Sequence, residues 1–330
     1  MQNRKYYVDV LKFIGICCLF FAHVNGPEFL ENIRGFDVPM MVILSGFLAV
    51  SSFAKVSNPL SYIWKRIKRL VIPTWMFLII FYLCMMVSGQ SVKHLDVLKS
   101  YLFQRDCGLA GGVWIIWVYL LCAVMGPILK KGMDHKWFLP VAIGVFIAYE
   151  ILVASFPNLI EIRMLYYSVF TAIPYGIILL LGMYLSKLDI SKRMIILVCA
   201  TVVHLMLVGY YVLNQGDYQL ISQYKYPARL YYLSYGLSIT IILIELFRRI
   251  EDKLPRLKLI TFVSEHSLWI YLWQIMMLTI VNYVINISNN WLLSWLVLMI
   301  GSILLTWVQN FIVDRIQRKY KWKILQYFRG

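Results

Sequence analysis

The feature that most limits what this chain can become is a series of long apolar runs, recurring from one end of the sequence to the other. Each is close to the roughly 20 residues that a helix needs to cross the ~30 Å hydrocarbon core of a bilayer. A soluble chain of 330 residues would bury one or two cores and would not need such runs along its whole length. Charged residues make up only 15% of the chain, against roughly 25% in soluble domains. The expectation is an all-α, polytopic transmembrane helix bundle forming a single domain over 1–330.

Short polar breaks divide the runs into about ten spans: 8–24, 36–54, 70–88, 112–129, 137–156, 166–186, 194–213, 229–247, 263–285 and 291–313. The longest connections are 89–111 and 214–228. With ten spans and a cytoplasmic N-terminus, 24 of the 32 basic residues fall in inner segments, among them Arg4, Lys5 and Lys55, and seven in outer ones. This is the asymmetry of the positive-inside rule. It predicts a multi-pass protein of the cell membrane with both termini cytoplasmic. The basic tail after Asp314 is expected to lie along the inner surface, with anionic lipid as a partner. Topology accounts for the net charge of +16, so no nucleic-acid partner is expected. Asp9 and Lys12 interrupt the first run and no small-x-small cleavage site follows, so that run reads as a retained helix. The six cysteines form no CxxC or Cys/His cluster, so neither a metal nor a disulfide framework is expected.

Ionisable residues within spans are costly and mark candidate sites. Lys12 and His23 stand eleven residues apart, which on a helix returns to within about 20° of the same face at a rise of about 16 Å. One face would then carry a cation at one level and an imidazole at another. Histidine is suited to proton abstraction near neutral pH. Lys12 also reads as a snorkelling side chain, and His23 as a packing histidine. Glu150 could sit at the depth of His23 and orient its ring, or be a paired structural group, as could His204. Lys65, Arg66, Lys68 and Arg69 form a basic segment before Pro73 that suits phosphates or anionic lipid. Ser45 and Gly46 are small residues that permit close helix contact. Tyrosines 210, 211, 218, 224, 226, 231, 232 and 235 read either as an interface belt or as a platform for sugar rings.

The chain resembles the acyltransferase-3 family of integral membrane acyltransferases. Lys12 and His23 fit the family's Arg/Lys-x10-His signature. Tyr7-Val8-Asp9-Val10-Leu11-Lys12 is similar to its opening segment, and Val42-Ile43-Leu44-Ser45-Gly46-Phe47 to its second-helix element. Arg66 and Arg69 before Pro73 resemble its basic loop. Gly112-Val113-Trp114 and Ser267-Leu268-Trp269-Ile270-Tyr271-Leu272 resemble two later motifs. Gln274 departs from the family, many of whose members carry histidine there.

The resemblance is closest to the branch that O-acetylates polysaccharides or sugars. It implies acetyl-CoA as cytoplasmic acyl donor and a saccharide or lipid-linked glycan as acceptor, with other glycan-synthesis proteins as possible partners. His23 would be the general base, with Lys12 and Glu150 beside it. Lys12, Ser45, Lys65, Arg66, Lys68 and Arg69 would serve the donor. Two other readings stay open: a polysaccharide transporter or exporter, and a non-catalytic partner in glycan assembly.

Overall fold

A computed structural model describes residues 5–53, 58–285 and 287–329, the side chain of Lys323 excepted. Arg4 and Lys55, which entered the charge count, lie outside these residues. The described chain is helical: α1 (Tyr6–Phe21), α2 (Glu28–Ile33), α3 (Asp37–Phe53), α4 (Pro59–Val87), α5 (His94–Tyr101), α6 (Trp114–Gly132) and α7 (Phe138–Ser155). Then follow α8 (Arg163–Tyr167), α9 (Val169–Lys187), α10 (Ile190–Gln215), α11 (Leu230–Arg249), α12 (Lys258–Glu265), α13 (Ser267–Ile280) and α14 (Trp291–Tyr320). No strand occurs among the described residues.

Among those residues, nine helices are long and apolar enough to cross a membrane, so this is a multi-pass membrane protein with an all-α fold. Side chains such as Val87 and Leu213, 89% and 86% exposed, would be a liability in water but are solvated by lipid. The first of the ten expected spans, 8–24, corresponds to α1, which has only 16 residues. Its length is roughly 24 Å, short of the hydrocarbon thickness. Two boundaries also move. Helix α4 begins at Pro59, so the basic segment lies inside a helix of 29 residues and not in a loop before one. Helix α14 runs on to Tyr320, six residues beyond Asp314, and turns back through Lys321 at φ +50°. The connection 89–111 contains a helix of its own, α5.

The helices start and stop on local chemistry. Asp189 caps α10 by accepting from the Lys192 backbone N–H at 2.9 Å, and Gly216, at φ +78°, closes it in the left-handed region. The Asn290 side chain caps α14 by accepting from Leu293 N–H at 3.1 Å. Pro73 lacks an N–H, which leaves the carbonyl of Arg69 without its helical donor.

The chain divides into two compact units. The first comprises the described residues of Met1–Leu11 together with Pro27–Tyr62 and Leu121–Leu254; the second comprises Lys12–Gly26, Ile63–Leu120 and the described residues of Pro255–Gly330. In the first, α3 and α9 cross where each presents a glycine. A Cβ at Gly46 would collide with the carbonyl oxygen of Leu179, and one at Gly182 with that of Ile43. The close approach expected of Ser45-Gly46 is therefore a contact with α9 backbone. In the second unit, Ile16, Phe20 and Val24 pack with Val263, Ile270, Met277, Val281, Leu298 and Met299. Helix α1 is thereby joined to α12, α13 and α14. Trp295 adds an indole N–H bond to the Cys17 carbonyl at 3.0 Å.

Candidate functional site

Helix α1 and the turn that follows it carry the first pair of candidate residues. It is regular through Phe21, and His23 stands in the turn just beyond, its N–H bonded to Phe20 O at 3.1 Å. The imidazole therefore sits at a helix C-terminus and not mid-helix. Lys12 and His23 are each half-buried, and both belong to the second unit. Phe20 and Val24, on either side of His23 in the chain, are buried in the cluster with α13 and α14. The negative end of the α1 dipole favours a positive charge gathering on the ring as it accepts a proton.

The second unit also holds the basic turns of α4. Helical spacing puts Lys68, Lys65, Arg69 and Arg66 within an arc of roughly 160°. Lys65 and Arg69 are exposed, Arg66 and Lys68 half-buried, and Lys68 Nζ rests 5.5 Å from the centroid of the Trp64 ring. This is a one-sided cationic face of the kind that takes phosphates.

Two distant motifs meet in the same unit. Tyr271 Oη donates to the Gly112 carbonyl at 2.5 Å, and a Cβ at Gly112 would lie 3.2 Å from that hydroxyl. The 3-10 turn over Gly108–Val113, which leads into α6 at Trp114, is thus pinned to α13.

Ser45 and Glu150 belong to the first unit. The Ser45 hydroxyl is turned back onto its own helix, donating to Met41 O at 2.8 Å. Both oxygens of Glu150 are engaged: Oε2 accepts from Arg229 Nε at 2.8 Å and Oε1 from Leu230 N–H at 2.7 Å. Glu150 thus holds the start of α11. His204 is likewise paired, its Nδ1 3.2 Å from Tyr231 O and its ring stacked 4.8 Å from that of Tyr231. Tyr211 and Tyr224 pack edge-on against Tyr231, and the Tyr235 hydroxyl donates to Ile33 O at 2.7 Å. Tyr210, Tyr211, Tyr224 and Tyr231 thus pack on one another, and Tyr210 and Tyr218 are exposed.

Two polar constellations went unforeseen. Arg34 joins Glu31 and Asp37, with Arg34 Nη1 to Asp37 Oδ2 at 2.8 Å. The i, i+3, i+6 spacing of acid, base and acid carried that signal. Arg193 pairs with Glu245 across 52 residues, for which no local pattern exists.

The acyltransferase-3 family model, described as an acyltransferase domain, matches residues 5–309. The chain belongs to the acyltransferase-3 family. The match takes in α1 with Lys12 and His23, the basic turns of α4 and all of α13. No curated protein and no solved structure matches the chain. Membership of the acyltransferase-3 family, with nine membrane-crossing helices among the described residues, makes this a membrane acyltransferase.

Proposed function

We propose that this acyltransferase moves an acetyl group from acetyl-CoA to a hydroxyl of a saccharide, within a cell-surface polysaccharide or its lipid-linked precursor. The observation that carries the reading is the grouping of Lys12, His23 and the cationic face of α4 in one compact unit. A proton acceptor and a phosphate-binding surface are the two things such a reaction needs from the protein. On this reading the N-terminus and the α4 cations face the cytoplasm, where the donor resides, in the membrane that encloses the cell.

Arg66 and Arg69, with Lys65 and Lys68, hold the phosphates of the nucleotide. Lys12 adds positive charge along the donor's path. His23 removes the proton of the acceptor hydroxyl as its oxygen attacks the thioester carbonyl carbon. A C–O bond forms, the C–S bond breaks, and the imidazolium returns its proton to the departing thiolate. The helix end at His23 stabilises the charge held between these two transfers.

The test is acetyl transfer from labelled acetyl-CoA in vesicles containing the parent protein, His23→Ala or Lys12→Ala. Loss of transfer is expected for His23→Ala, and a raised KM for acetyl-CoA with Lys12→Ala. Normal transfer by His23→Ala would remove the base from the mechanism.

A further inference from the structure

Helices α13 and α14 carry polar atoms that nothing in the described structure satisfies. Gln274 is 1% exposed, and both its amide nitrogen and oxygen are buried without a hydrogen-bond partner. On α14 the same holds for Ser302 Oγ, for both amide atoms of Asn310 and for Gln317 Oε1. A buried polar group left unpaired bears its full desolvation penalty, and such groups mark a place suited to a polar partner.

These atoms are not scattered. Ser302, Asn310 and Gln317 are spaced eight and seven residues apart, which keeps them within an arc of about 80° over roughly 22 Å of helix. Gln274 lies on the stripe of α13 that runs through Ile270 and Met277, the stripe that packs with Ile16 and Phe20 of α1 and with Val24 just beyond it. Two contacts fix the antiparallel register of α13 and α14. A Cβ at Gly301 would strike the end of the Met277 side chain, and Trp273 Nε1 donates to Gln309 Oε1 at 2.6 Å. In that register Gln274 falls level with the stretch between Ser302 and Asn310. Leu298, one turn before Ser302, belongs to the apolar cluster that encloses the His23 end of α1. The unpaired atoms therefore form a polar seam leading away from that end.

We propose that this seam binds the amide-bearing arm of the acyl donor. A pantetheine-type arm is a narrow chain with two secondary amides and a hydroxyl. It offers N–H and C=O groups in alternation to Gln274 and Asn310, which each bring a donor and an acceptor, and to Ser302 and Gln317. The inference rests on the thioester-donor reading above and extends it to the residues that recognise the arm.

The test compares two donors in the purified protein. S-acetylpantetheine carries the amides; S-acetylmercaptoethanol carries none. Gln274→Met and Asn310→Leu keep the side-chain bulk and remove the amide. Each is expected to raise the KM for S-acetylpantetheine about 3- to 10-fold, as loss of one or two hydrogen bonds would, and to leave kcat/KM for S-acetylmercaptoethanol unchanged. Equal losses on both donors, or none on either, would overturn the seam. Unfolding midpoints of the unliganded variants should stay at or above the parent's, because each removes an unsatisfied buried amide. A clear fall would overturn the premise that these amides lack partners. Calorimetric binding of pantetheine itself separates the two readings. Binding that weakens in the variants, without transfer from any thioester, sinks the donor reading and keeps the seam. Turnover of acetyl-CoA without pantetheine binding sinks the seam alone.

Discussion

Arg193 on α10 and Glu245 on α11 form an ion pair at 2.6 Å, with side chains only 5% and 8% exposed. Arg193 also donates through Nη1 to Leu188 O at 2.5 Å. Removing one member of such a pair leaves an uncompensated charge out of water. Glu245→Ala should destabilise the protein by roughly 3–5 kcal/mol, whereas Arg193→Met with Glu245→Leu should cost much less than Glu245→Ala alone. Thermal unfolding in detergent reads both. A double variant as unstable as Glu245→Ala would show that the pair is worth more than its desolvation.

Glu150 and Arg229 set a contrasting case, because Glu150 read either as a group orienting an imidazole or as a paired structural group. Its oxygens hold Arg229 and the Leu230 N–H, as in the second reading. Glu150→Gln should therefore lower the unfolding midpoint, by turning an amide towards the guanidinium, while transfer by the folded fraction keeps the parent's rate and pH profile. A fall in kcat with an unchanged midpoint would return Glu150 to the reacting groups.

Arg66 and Arg69 are assigned to the nucleotide end of the donor. Arg66→Gln and Arg69→Gln should each raise the KM for acetyl-CoA by about tenfold, the size of one charge-assisted hydrogen bond. The KM for S-acetylpantetheine, which has no nucleotide, should not change. Parallel rises for both donors would place these arginines elsewhere in the reaction.

His266 links pH to stability. It stands between α12 and α13, with Nδ1 2.7 Å from Arg329 O and its ring 4.6 Å from that of Phe262. Burial pushes its pKa below the usual histidine value, only partly offset by the bond to the Arg329 carbonyl. The folded state therefore binds fewer protons than the unfolded state over the interval from 6.5 down to that lowered pKa. Stability should fall as pH drops through this interval and level off below it. His266→Asn should flatten that part of the profile of unfolding midpoint against pH. An identical slope in the variant would assign the effect to other groups.

The apolar runs made the bundle legible, because a membrane helix must satisfy its own backbone and advertises this as length and hydropathy. The start of α4 was less legible. Lys65, Arg66, Lys68 and Arg69 break the apolar run but are good helix formers, so the helix continues through them. Lys12 and His23 were visible as ionisable residues at a telling spacing, although α1 stops two residues before His23. The pairing of Glu150 with Arg229 was not visible, since 79 residues separate them and only packing brings them together. Gln274 could be picked out in the sequence, but the lack of any partner for its amide among the described residues is a property of the packed helices alone.

Residues 327–329 are gripped through their main chain. The carbonyls of Tyr327, Phe328 and Arg329 accept in turn from Trp269 Nε1, Gln309 Nε2 and, at 2.7 Å, the imidazole of His266. Every residue type offers the same carbonyl, but the Phe328 ring also stacks on Trp269 and the Arg329 guanidinium pairs with Asp314. Replacing Tyr327, Phe328 and Arg329 would thus loosen this clasp without opening it, whereas removing the chain from Tyr327 onward would unfasten α12, α13 and α14 from their common buckle.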